Sequence, residues 1–174
     1  TYRYVALKHM VMYRIPASIT MAQAILESGS GASPLATKAN NHFGIKCKSE
    51  WQGKTIRHTD DNPNECFRKY STAEESFKDH ALFLTNRVYY KNLFRLNIMD
   101  YKAWAHGLKK AGYATNPNYA YKLIEVIERY GLWELDRVGM QAIIAYEQKQ
   151  YDACLAEEQA KIIKPVRIIT VALT

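Results

Sequence analysis

Apolar residues recur at helical spacing through most of this chain, and one segment near the middle alternates like β-strands instead. The clearest helix covers residues 15–27, an apolar run that ends in Glu27. Pro16 suits its first turn, and Gly29 or Gly31 suits the position after its last turn. A second, short helix is expected over residues 35–41, after a loop of small residues. The chain therefore opens as a helical body.

Helical spacing returns after residue 70. The sequence Ser71-Thr72-Ala73-Glu74 resembles a capping box, which predicts a helix that continues to Leu84. Two more helices are expected over residues 101–111 and 118–130, the second ending at Gly131. On that last helix, four side chains are expected to share one face: Tyr121, Ile124, Ile127 and Tyr130.

The segment between these helical parts predicts a sheet. Residues 42–48, 54–59 and 65–70 have the composition and alternation of three strands. Residues 51–53 and 60–64 separate them and are rich in turn formers. We therefore expect a small antiparallel sheet inserted into a helical body, which is a mostly α, α+β fold.

The chain of 174 residues is long enough for one folded domain and a tail. We place the domain at residues 1–136, because the composition then shifts toward Gln, Glu and Lys. In the tail, residues 137–174, a helical composition over residues 138–163 gives way to Pro165 and a β-branched end at residues 166–171. The tail is expected to be a separate docking helix or the start of a linker.

The formal charge of +7 indicates an acidic partner. Nucleic acid and anionic cell-wall polymer both qualify, but the basic residues are spread along the chain, which argues against nucleic acid. The 13 tyrosines and three tryptophans suit carbohydrate stacking or an ordinary core.

No apolar run is long enough to predict a transmembrane helix, so membrane insertion is not expected. Because the chain begins at Thr1 without a signal peptide, we expect a mature or truncated protein.

The cysteines and histidines predict no metal site, because no C-x-x-C pair and no HExxH motif occurs. No cofactor is expected either, and the sequence determines no oligomeric state. Cys47 and Cys66 flank the turn-rich part of the predicted sheet. They form either a cross-hairpin disulfide, if the protein is exported, or two buried thiols. Cys154 has no evident partner.

Glu27 is the strongest candidate for catalysis. It lies beside apolar neighbours at the C-terminal end of a predicted helix, near the negative end of the helix dipole. Both effects disfavour its ionised form and raise its pKa, as a general acid near neutral pH requires. The alternative is an ordinary exposed carboxylate in the last turn of a helix.

A second carboxylate is expected from the sheet. Glu65 begins the last predicted strand, whereas Asp60 and Asp61 lie in a turn and are expected to be solvated. Glycoside hydrolysis uses a protonated carboxyl and a second carboxylate, or the N-acetyl group of the substrate, on either side of the scissile bond. The loop at residues 112–120 adds Tyr113 and Tyr119, which serve either in a cleft or in the core.

Four ordered motifs resemble the glucosaminidase family, glycoside hydrolase family 73. They are AQAILESGSG at residues 22–31, NNHFGIK at 40–46, FRKY at 67–70 and GYATNPNYA at 112–120. The resemblance extends from about Ile15 to about Leu135 and leaves out the tail. Ser30 departs from the pattern, since many members have a tryptophan or another bulky residue there, and a contact with substrate is then missing or supplied elsewhere.

The resemblance implies a lysozyme-like helical domain with a small β lobe beside the active-site cleft. It implies cleavage of the β-1,4 bond between N-acetylglucosamine and N-acetylmuramic acid in peptidoglycan glycan strands. Glu27 matches the catalytic acid, Tyr113 the active-site tyrosine, and Glu65 a second carboxylate that is less uniform in the family. Positions that line or support the cleft follow from the same motifs: Ser28, Asn41, Phe43, Thr115 and Tyr119. Export to the periplasm, cell envelope or medium is also implied, which favours the Cys47–Cys66 disulfide.

Two other functions are compatible with the same residues. A lytic transglycosylase shares the lysozyme-like body but needs one acid/base glutamate and forms an anhydro sugar. A catalytically silent module would bind cell wall without cleaving it. Nucleic-acid binding is less favoured, because the helix that carries Glu27 has no basic face.

Overall fold

The computed structural model describes residues 2–60 and 62–162. Asp61 and the β-branched end predicted at residues 166–171 lie outside the described residues. The described part is mostly helical with one small antiparallel sheet, the expected fold class. Its elements in chain order are α1 (Arg3–Tyr13), α2 (Ala17–Glu27), α3 (Pro34–Ala39), β1 (Thr55–His58), β2 (Glu65–Arg68), α4 (Ala73–Thr85), a 3-10 helix (Val88–Arg95), α5 (Tyr101–Lys110), α6 (Tyr119–Arg129) and α7 (Trp133–Ile162).

Helix α2 lies at the centre of the helical body, where α1, α5, α6 and α7 pack against it. It ends at Glu27, as the sequence predicts, and begins at Ala17, two residues after the predicted start, with Pro16 as its N-cap. The chain then turns sharply, because Gly29 has a φ of 54° and Gly31 a φ of 88°, which glycine adopts at little steric cost. The N–H of Ser30 donates to the carbonyl of Ile25 at 2.8 Å and closes the last turn. The helix thus delivers Glu27 at a fixed point on its surface.

One apolar core joins α2 to the later helices. Trp104 of α5 is 1% exposed and is among the largest fully buried side chains. Ile15, just before α2, belongs to the same core. Helices α2, α4, α5 and α6 contribute these further buried residues: Ile19, Ala22, Ala81, Leu84, Ala105, Leu108, Leu123 and Ile127. Because these side chains interdigitate, α2 cannot rotate without disturbing all of its neighbours.

The core face of α6 differs from the predicted one. Tyr121 is 66% exposed and Tyr130 57% exposed, whereas Leu123 and Ile127 are fully buried. A row of residues spaced by three falls about 60° short of a full turn at each step, so it winds around the helix and leaves the core. The real stripe combines steps of three and four, from Ala120 to Leu123 to Ile127.

The cap of α4 lies one residue later than predicted. The hydroxyl of Thr72 accepts from the N–H of Glu75 at 3.3 Å, and the carboxylate of Glu75 accepts from the N–H of Ser71 at 2.9 Å. The reciprocal contact therefore involves Glu75 rather than Glu74. The helix begins after Thr72 because Thr72 still has an extended backbone, with φ at −135°.

Two of the three predicted strands form. Strands β1 and β2 pair antiparallel, with Ile56 opposite Phe67 and Arg57 opposite Cys66. Cys47 lies beside this pair: its N–H donates to the carbonyl of Cys66 at 2.8 Å, and the two cysteines form a disulfide with a Cα–Cα distance of 5.3 Å. Cys154 is exposed and is not part of a disulfide.

The strand predicted over residues 42–48 is wrong, since only an isolated bridge from Lys46 to Phe67 is present there. Gly44 has a φ of 59°, which bends the chain out of an extended conformation. The Asn41 side chain holds this bend, because its Oδ1 accepts from the N–H of Ile45 and its Nδ2 donates to the Ile45 carbonyl, both at 3.0 Å. A side chain thus satisfies backbone groups that a strand would have paired.

Helix α7 runs across the predicted domain boundary at residue 136. Its first turns pack on α1 and α2, where Asp136 is 1% exposed and Ile143 3% exposed. Gly139 permits this approach, since a Cβ added there would lie 2.3 Å from the Sδ of Met10. Residues 144–161 of the same helix are all exposed. The division into residues 1–136 and 137–174 stays a prediction.

Residues 2–60 and 62–162 contain neither a membrane-spanning helix nor a metal-binding cluster. No helix within these ranges has both the length and the apolar character needed to cross a bilayer. No three or more of their His, Cys, Asp and Glu side chains are grouped so that they could hold a metal ion.

Asp136→Ala should lower the free energy of unfolding by about 1–3 kcal/mol, because two buried donors lose their acceptor. The carboxylate accepts from the N–H of Ser18 at 2.8 Å and from its hydroxyl at 2.5 Å. Urea unfolding followed by circular dichroism measures the change. Asp152→Ala, at an exposed position of the same helix, is the control and should leave the midpoint unchanged. Equal midpoints for both variants would show that Asp136 does not tie α7 to α2.

Reduction of the disulfide should lower the free energy of unfolding by about 3 kcal/mol, because Cys47 and Cys66 are 19 residues apart and the bond restricts the unfolded chain. Unfolding with and without reductant, in a Cys154→Ser background that prevents exchange, measures this difference. Reductant should have no effect once Cys47 and Cys66 are both replaced by Ser. If reductant also leaves the stability of the protein with Cys47 and Cys66 unchanged, the disulfide does not stabilise the β hairpin.

Candidate active site

Glu27 is the last residue of α2, and its side chain is exposed at the surface. One carboxyl oxygen, Oε1, accepts a hydrogen bond from the hydroxyl of Tyr119 at 3.1 Å. Tyr119 is the first residue of α6, so this contact joins two helices that the core already holds together. Within the described ranges the other oxygen, Oε2, receives no hydrogen bond. The carboxyl therefore has one occupied side and one open side.

The pKa of Glu27 is raised above its ordinary value. The largest cause is loss of hydration, the Tyr119 hydrogen bond opposes it, and the negative charge of Asp60 raises the pKa further. An exposed side chain can be poorly hydrated when protein surrounds the carboxyl on most sides and water reaches it from one. Such a carboxyl stays protonated up to a pH closer to neutral, as a general acid must.

Tyr113 and Tyr119 form one stacked pair beside this acid. Their ring centroids are 5.6 Å apart and their planes differ by 22°. Burial is the main cause that raises the pKa of both hydroxyls, and the charge of Glu27 contributes in each case. The structure thus brings together Glu27, Tyr113 and Tyr119, from the end of α2, the loop before α6 and the start of α6. Both tyrosines keep their protons and can donate hydrogen bonds.

Glu65 is held in a different way. Its two oxygens lie 2.9 and 3.1 Å from Nζ of Lys46, and the N–H of Asn62 donates to it at 3.2 Å. The Lys46 contact is the main cause that lowers the pKa of Glu65. Glu65 therefore carries a paired negative charge and is not suited to donate a proton.

Asp60, rather than Glu65, is the hairpin carboxylate whose charge raises the pKa of Glu27. It follows β1 by two residues, and its side chain is 55% exposed. The sequence indicates only a solvated turn at this position. No local pattern reveals the interaction, because the folded hairpin brings Asp60 toward the end of α2.

Comparisons with known proteins decide the family. Residues 4–132 match the sequence profile of the glucosaminidase family, described as mannosyl-glycoprotein endo-beta-N-acetylglucosaminidase. The chain belongs to this family.

Two curated members show how much of the chain is shared. The exo-glucosaminidase LytG of Bacillus subtilis is 42% identical over 138 residues, which are 73% of this chain and 48% of LytG. The peptidoglycan hydrolase FlgJ of Vibrio cholerae is 34% identical over 130 residues, which are 66% of this chain and 37% of FlgJ. The chain thus spans less than half the length of these relatives.

Solved structures of the glucosaminidase family have the same fold. The catalytic domain of the autolysin Auto from Listeria monocytogenes superposes with a TM-score of 0.68 at 33% identity, covering 78% of this chain and 83% of that domain. The glycoside hydrolase domain of FlgJ from Salmonella typhimurium gives a TM-score of 0.62 at 28% identity, covering 90% and 94%. These similarities confirm the expected lysozyme-like helical domain with a small β lobe.

Two predicted substrate-binding residues of this glucosaminidase domain lie in its loops. The hydroxyl of Ser28 donates to the carbonyl of Ala24 at 2.5 Å and accepts from the N–H of Gly31 at 2.7 Å, so it shapes the turn after Glu27. Thr115 is exposed, and its carbonyl accepts from Nζ of Lys109 at 3.0 Å. Direct contact of either side chain with a sugar stays a prediction.

Two others support the wall behind the tyrosines. Asn41 is 1% exposed, and besides its bonds to the backbone of Ile45 its amide donates to the carbonyl of Arg68 in β2 at 2.9 Å. Phe43 is 5% exposed and stacks on the His80 ring at 4.0 Å. They build the site from behind, and a contact with substrate stays a prediction for both.

The sequence did not indicate two buried polar residues beside the acid. Gln23 donates from Nε2 to the hydroxyl of Tyr119 at 3.0 Å, and its Oε1 lies 3.0 Å from Nε2 of His80. Gln23 lies inside the first family motif, so the resemblance offered a signal for it. In the sequence, His80 is one polar position of a predicted amphipathic helix, and no motif distinguishes it.

Phe83 lies between Tyr113 and an open cavity of about 460 Å³, which Phe83 lines and Tyr113 does not. The Phe83 ring centroid is 6.2 Å from that of Tyr113, and the Arg87 guanidinium lies 4.0 Å above the Phe83 ring. Arg68 lines the cavity and pairs with Asp79 at 3.0 Å. A space of this size, with an aromatic wall and charged groups, suits part of a sugar chain.

Asp60→Asn should lower the pKa of Glu27, because it removes the negative charge that destabilises a second negative charge nearby. A ¹³C NMR titration of the Glu27 carboxyl, assigned by its loss in Glu27→Gln, measures the shift. Asp152→Asn, far along the exposed half of α7, is the matched control and should cause none. A larger shift in Glu65→Gln than in Asp60→Asn would make Glu65 the carboxylate coupled to the acid.

Proposed function

We propose that this glucosaminidase domain hydrolyses peptidoglycan at the β-1,4 bond between N-acetylglucosamine and N-acetylmuramic acid. The observation that carries the proposal is the Glu27 carboxyl, with a raised pKa, one oxygen held by Tyr119 and one oxygen open. Family membership supports the reaction class, and relatives named exo-glucosaminidase and peptidoglycan hydrolase support the substrate. The substrate is then a glycan strand of the bacterial wall.

Glu27 acts as the general acid in this proposal. Its protonated Oε2 donates to the glycosidic oxygen while the bond from that oxygen to the anomeric carbon breaks, and the leaving sugar departs as an alcohol. The Tyr119 hydroxyl donates to Oε1 throughout, so it stabilises the carboxylate that forms. Water then adds to the anomeric carbon and loses one proton, which returns to the Glu27 carboxylate, so the hydrolysis is complete and the acid is restored.

The positive charge at the anomeric carbon needs a partner. Asp60, whose charge raises the pKa of Glu27, and Glu65 of the same hairpin are the two candidates for the second carboxylate. The substrate's own N-acetyl group can take the same role, and the neutral Tyr113 hydroxyl would then orient it. Glu65, held by Lys46, fixes the hairpin that carries Asp60.

We propose that the protein works outside the cytoplasm, at the cell wall. The Cys47–Cys66 disulfide supports export, because such bonds persist in oxidising compartments. The formal charge of +7 would attract the protein to anionic wall polymers and speed encounter.

A second specificity is favoured by one relative. The probable N-acetylmuramidase of Lactococcus lactis is 35% identical over 136 residues, which are 68% of this chain and 30% of that protein. The same acid could therefore act on the other β-1,4 bond of the strand. The two specificities leave different sugars at the reducing end of each fragment.

Digestion of purified peptidoglycan tests the proposal. Wild type should release fragments that end in reducing N-acetylglucosamine, as shown by mass spectrometry after borohydride reduction. Glu27→Gln should lower the rate by about 10²-fold or more, the scale of general acid catalysis. Activity should fall as pH rises through the raised pKa of Glu27, because only the protonated acid is active.

Glu157→Gln, at an exposed position of α7, is the matched control and should retain wild-type rates. Reducing N-acetylmuramic acid would assign the muramidase specificity instead, and anhydro sugars would assign a lytic transglycosylase. Binding to the wall without release of fragments would mean a silent module and would overturn the proposal.

A further inference from the structure

Gln23 is a buried polar side chain whose role the reaction at Glu27 leaves unexplained. It is 0% exposed, so it cannot touch a substrate. It lies four residues before Glu27 on α2, and hence on the same side of the helix. Its carboxamide contacts His80 of α4 and Tyr119 of α6, each at 3.0 Å. An amide with partners at both ends is held in one orientation.

His80 determines which end of that amide faces Tyr119. Burial lowers the pKa of His80 to about 3, so its ring is neutral. Nδ1 of the ring is buried without a hydrogen-bond partner among the described residues, and an N–H there would lack an acceptor, so the ring proton is on Nε2 and is donated to Oε1 of Gln23 at 3.0 Å. Phe43 stacks on the ring at 4.0 Å and 12°, which fixes its plane. The NH₂ group of Gln23 is thereby directed at Tyr119.

The Tyr119 hydroxyl has one hydrogen, and Gln23 determines where it points. Because Nε2 of Gln23 donates to the hydroxyl oxygen, a hydrogen turned toward Gln23 would meet another hydrogen. The hydrogen of the Tyr119 hydroxyl points instead to Oε1 of Glu27, which lies 3.1 Å from the hydroxyl oxygen. The hydroxyl oxygen of a protonated carboxyl is a weaker acceptor than its carbonyl oxygen, so an Oε1 that accepts this bond is the carbonyl oxygen. The bond therefore favours the proton on Oε2.

We infer that Gln23 and His80 are positioning residues of the proposed reaction, which orient the Tyr119 hydroxyl so that the proton of Glu27 stays on the oxygen facing the leaving group. The inference rests on the proposed function of Glu27 as general acid. Three hydrogen bonds in series, from His80 through Gln23 and Tyr119, connect the interior of the domain to the surface carboxyl.

The kinetics of two variants and their combination test this chain of bonds. Gln23→Met keeps the length of the side chain but removes both hydrogen bonds. Its kcat should fall about five- to tenfold, the effect of one neutral hydrogen bond, with KM unchanged because Gln23 does not reach the substrate. Tyr119→Phe should lose at least as much.

The double variant is the decisive measurement. It should be no slower than Tyr119→Phe alone, because the effect of Gln23 passes through the Tyr119 hydroxyl. If the two losses multiply instead, Gln23 acts by packing and the inference is wrong. Thr20→Val is the matched control, since it removes a hydroxyl from α2 that is 1% exposed and has no hydrogen-bond partner in the described part of the chain. It should leave kcat unchanged.

The pH profile should move in a direction that a folding defect would not produce. Tyr119, Tyr113 and Asp60 are the titratable groups that act on Glu27; the Tyr119 bond lowers its pKa and the charge of Asp60 raises it. Without Gln23 the Tyr119 hydroxyl is a weaker donor, so the pKa of Glu27 should rise. The alkaline limb of kcat/KM should then lie at higher pH in Gln23→Met. A limb at the wild-type position would contradict the inference.

A ¹³C NMR titration of the Glu27 carboxyl separates this inference from the proposed function, because it needs no activity. An upward shift of the pKa in Gln23→Met supports the chain of bonds even if wild type releases no fragments, in which case only the proposed function fails. An unchanged pKa beside an active wild type overturns the inference and leaves the proposed function standing.

Discussion

The site depends on one constraint: helix α2 is packed on nearly every side and must end at Glu27. Its neighbours α1, α5, α6 and α7 bury residues from both ends of the helix, so it can neither slide nor turn in its place. The left-handed residues after Ser28 then carry the chain away from the helix axis. A carboxyl at that position reaches the surface from a rigid support. This is the condition under which a single oxygen can be aimed at a substrate.

The second condition is asymmetry between the two carboxyl oxygens. In water both oxygens of a glutamate are equivalent and the proton exchanges freely between them. Here the Tyr119 hydroxyl donates its hydrogen to Oε1 of Glu27. Gln23 donates to the same hydroxyl from the other side, so the Tyr119 hydrogen has no other acceptor among the described residues. In the proposed reaction, the interior of the domain thus contributes to acid catalysis without any contact with the sugar. Burial of Gln23 and His80 strengthens these bonds, because little water competes for them.

Local patterns in the sequence predicted the parts of the fold that local interactions determine. Pro16 and Gly29 bound α2 correctly, and the run of turn formers after His58 separates two real strands. The predictions failed where distant residues intervene. Asn41 replaces a strand with a side-chain-held bend, and the core selects a face of α6 that uniform spacing does not indicate. Glu27 could be proposed from its helix end, but Gln23 and Tyr119 are 96 residues apart, and no periodicity reports a bond across that separation.

Among the described residues of the hairpin, Asp60 and Glu65 differ in how closely Lys46 approaches them. Its ammonium lies 2.9 Å from Glu65 but 3.9 Å from Asp60, so the charge of Glu65 is more completely compensated. The charge of Asp60 is less completely compensated by Lys46, and it raises the pKa of Glu27. The disulfide joins β2 to Cys47 in the segment after α3, and Asn41 binds the Arg68 carbonyl, so both restrict where the hairpin lies beside the helical body. Any displacement of the β lobe would change the acidity of Glu27, so the architecture couples the shape of the site to the proton affinity of its acid.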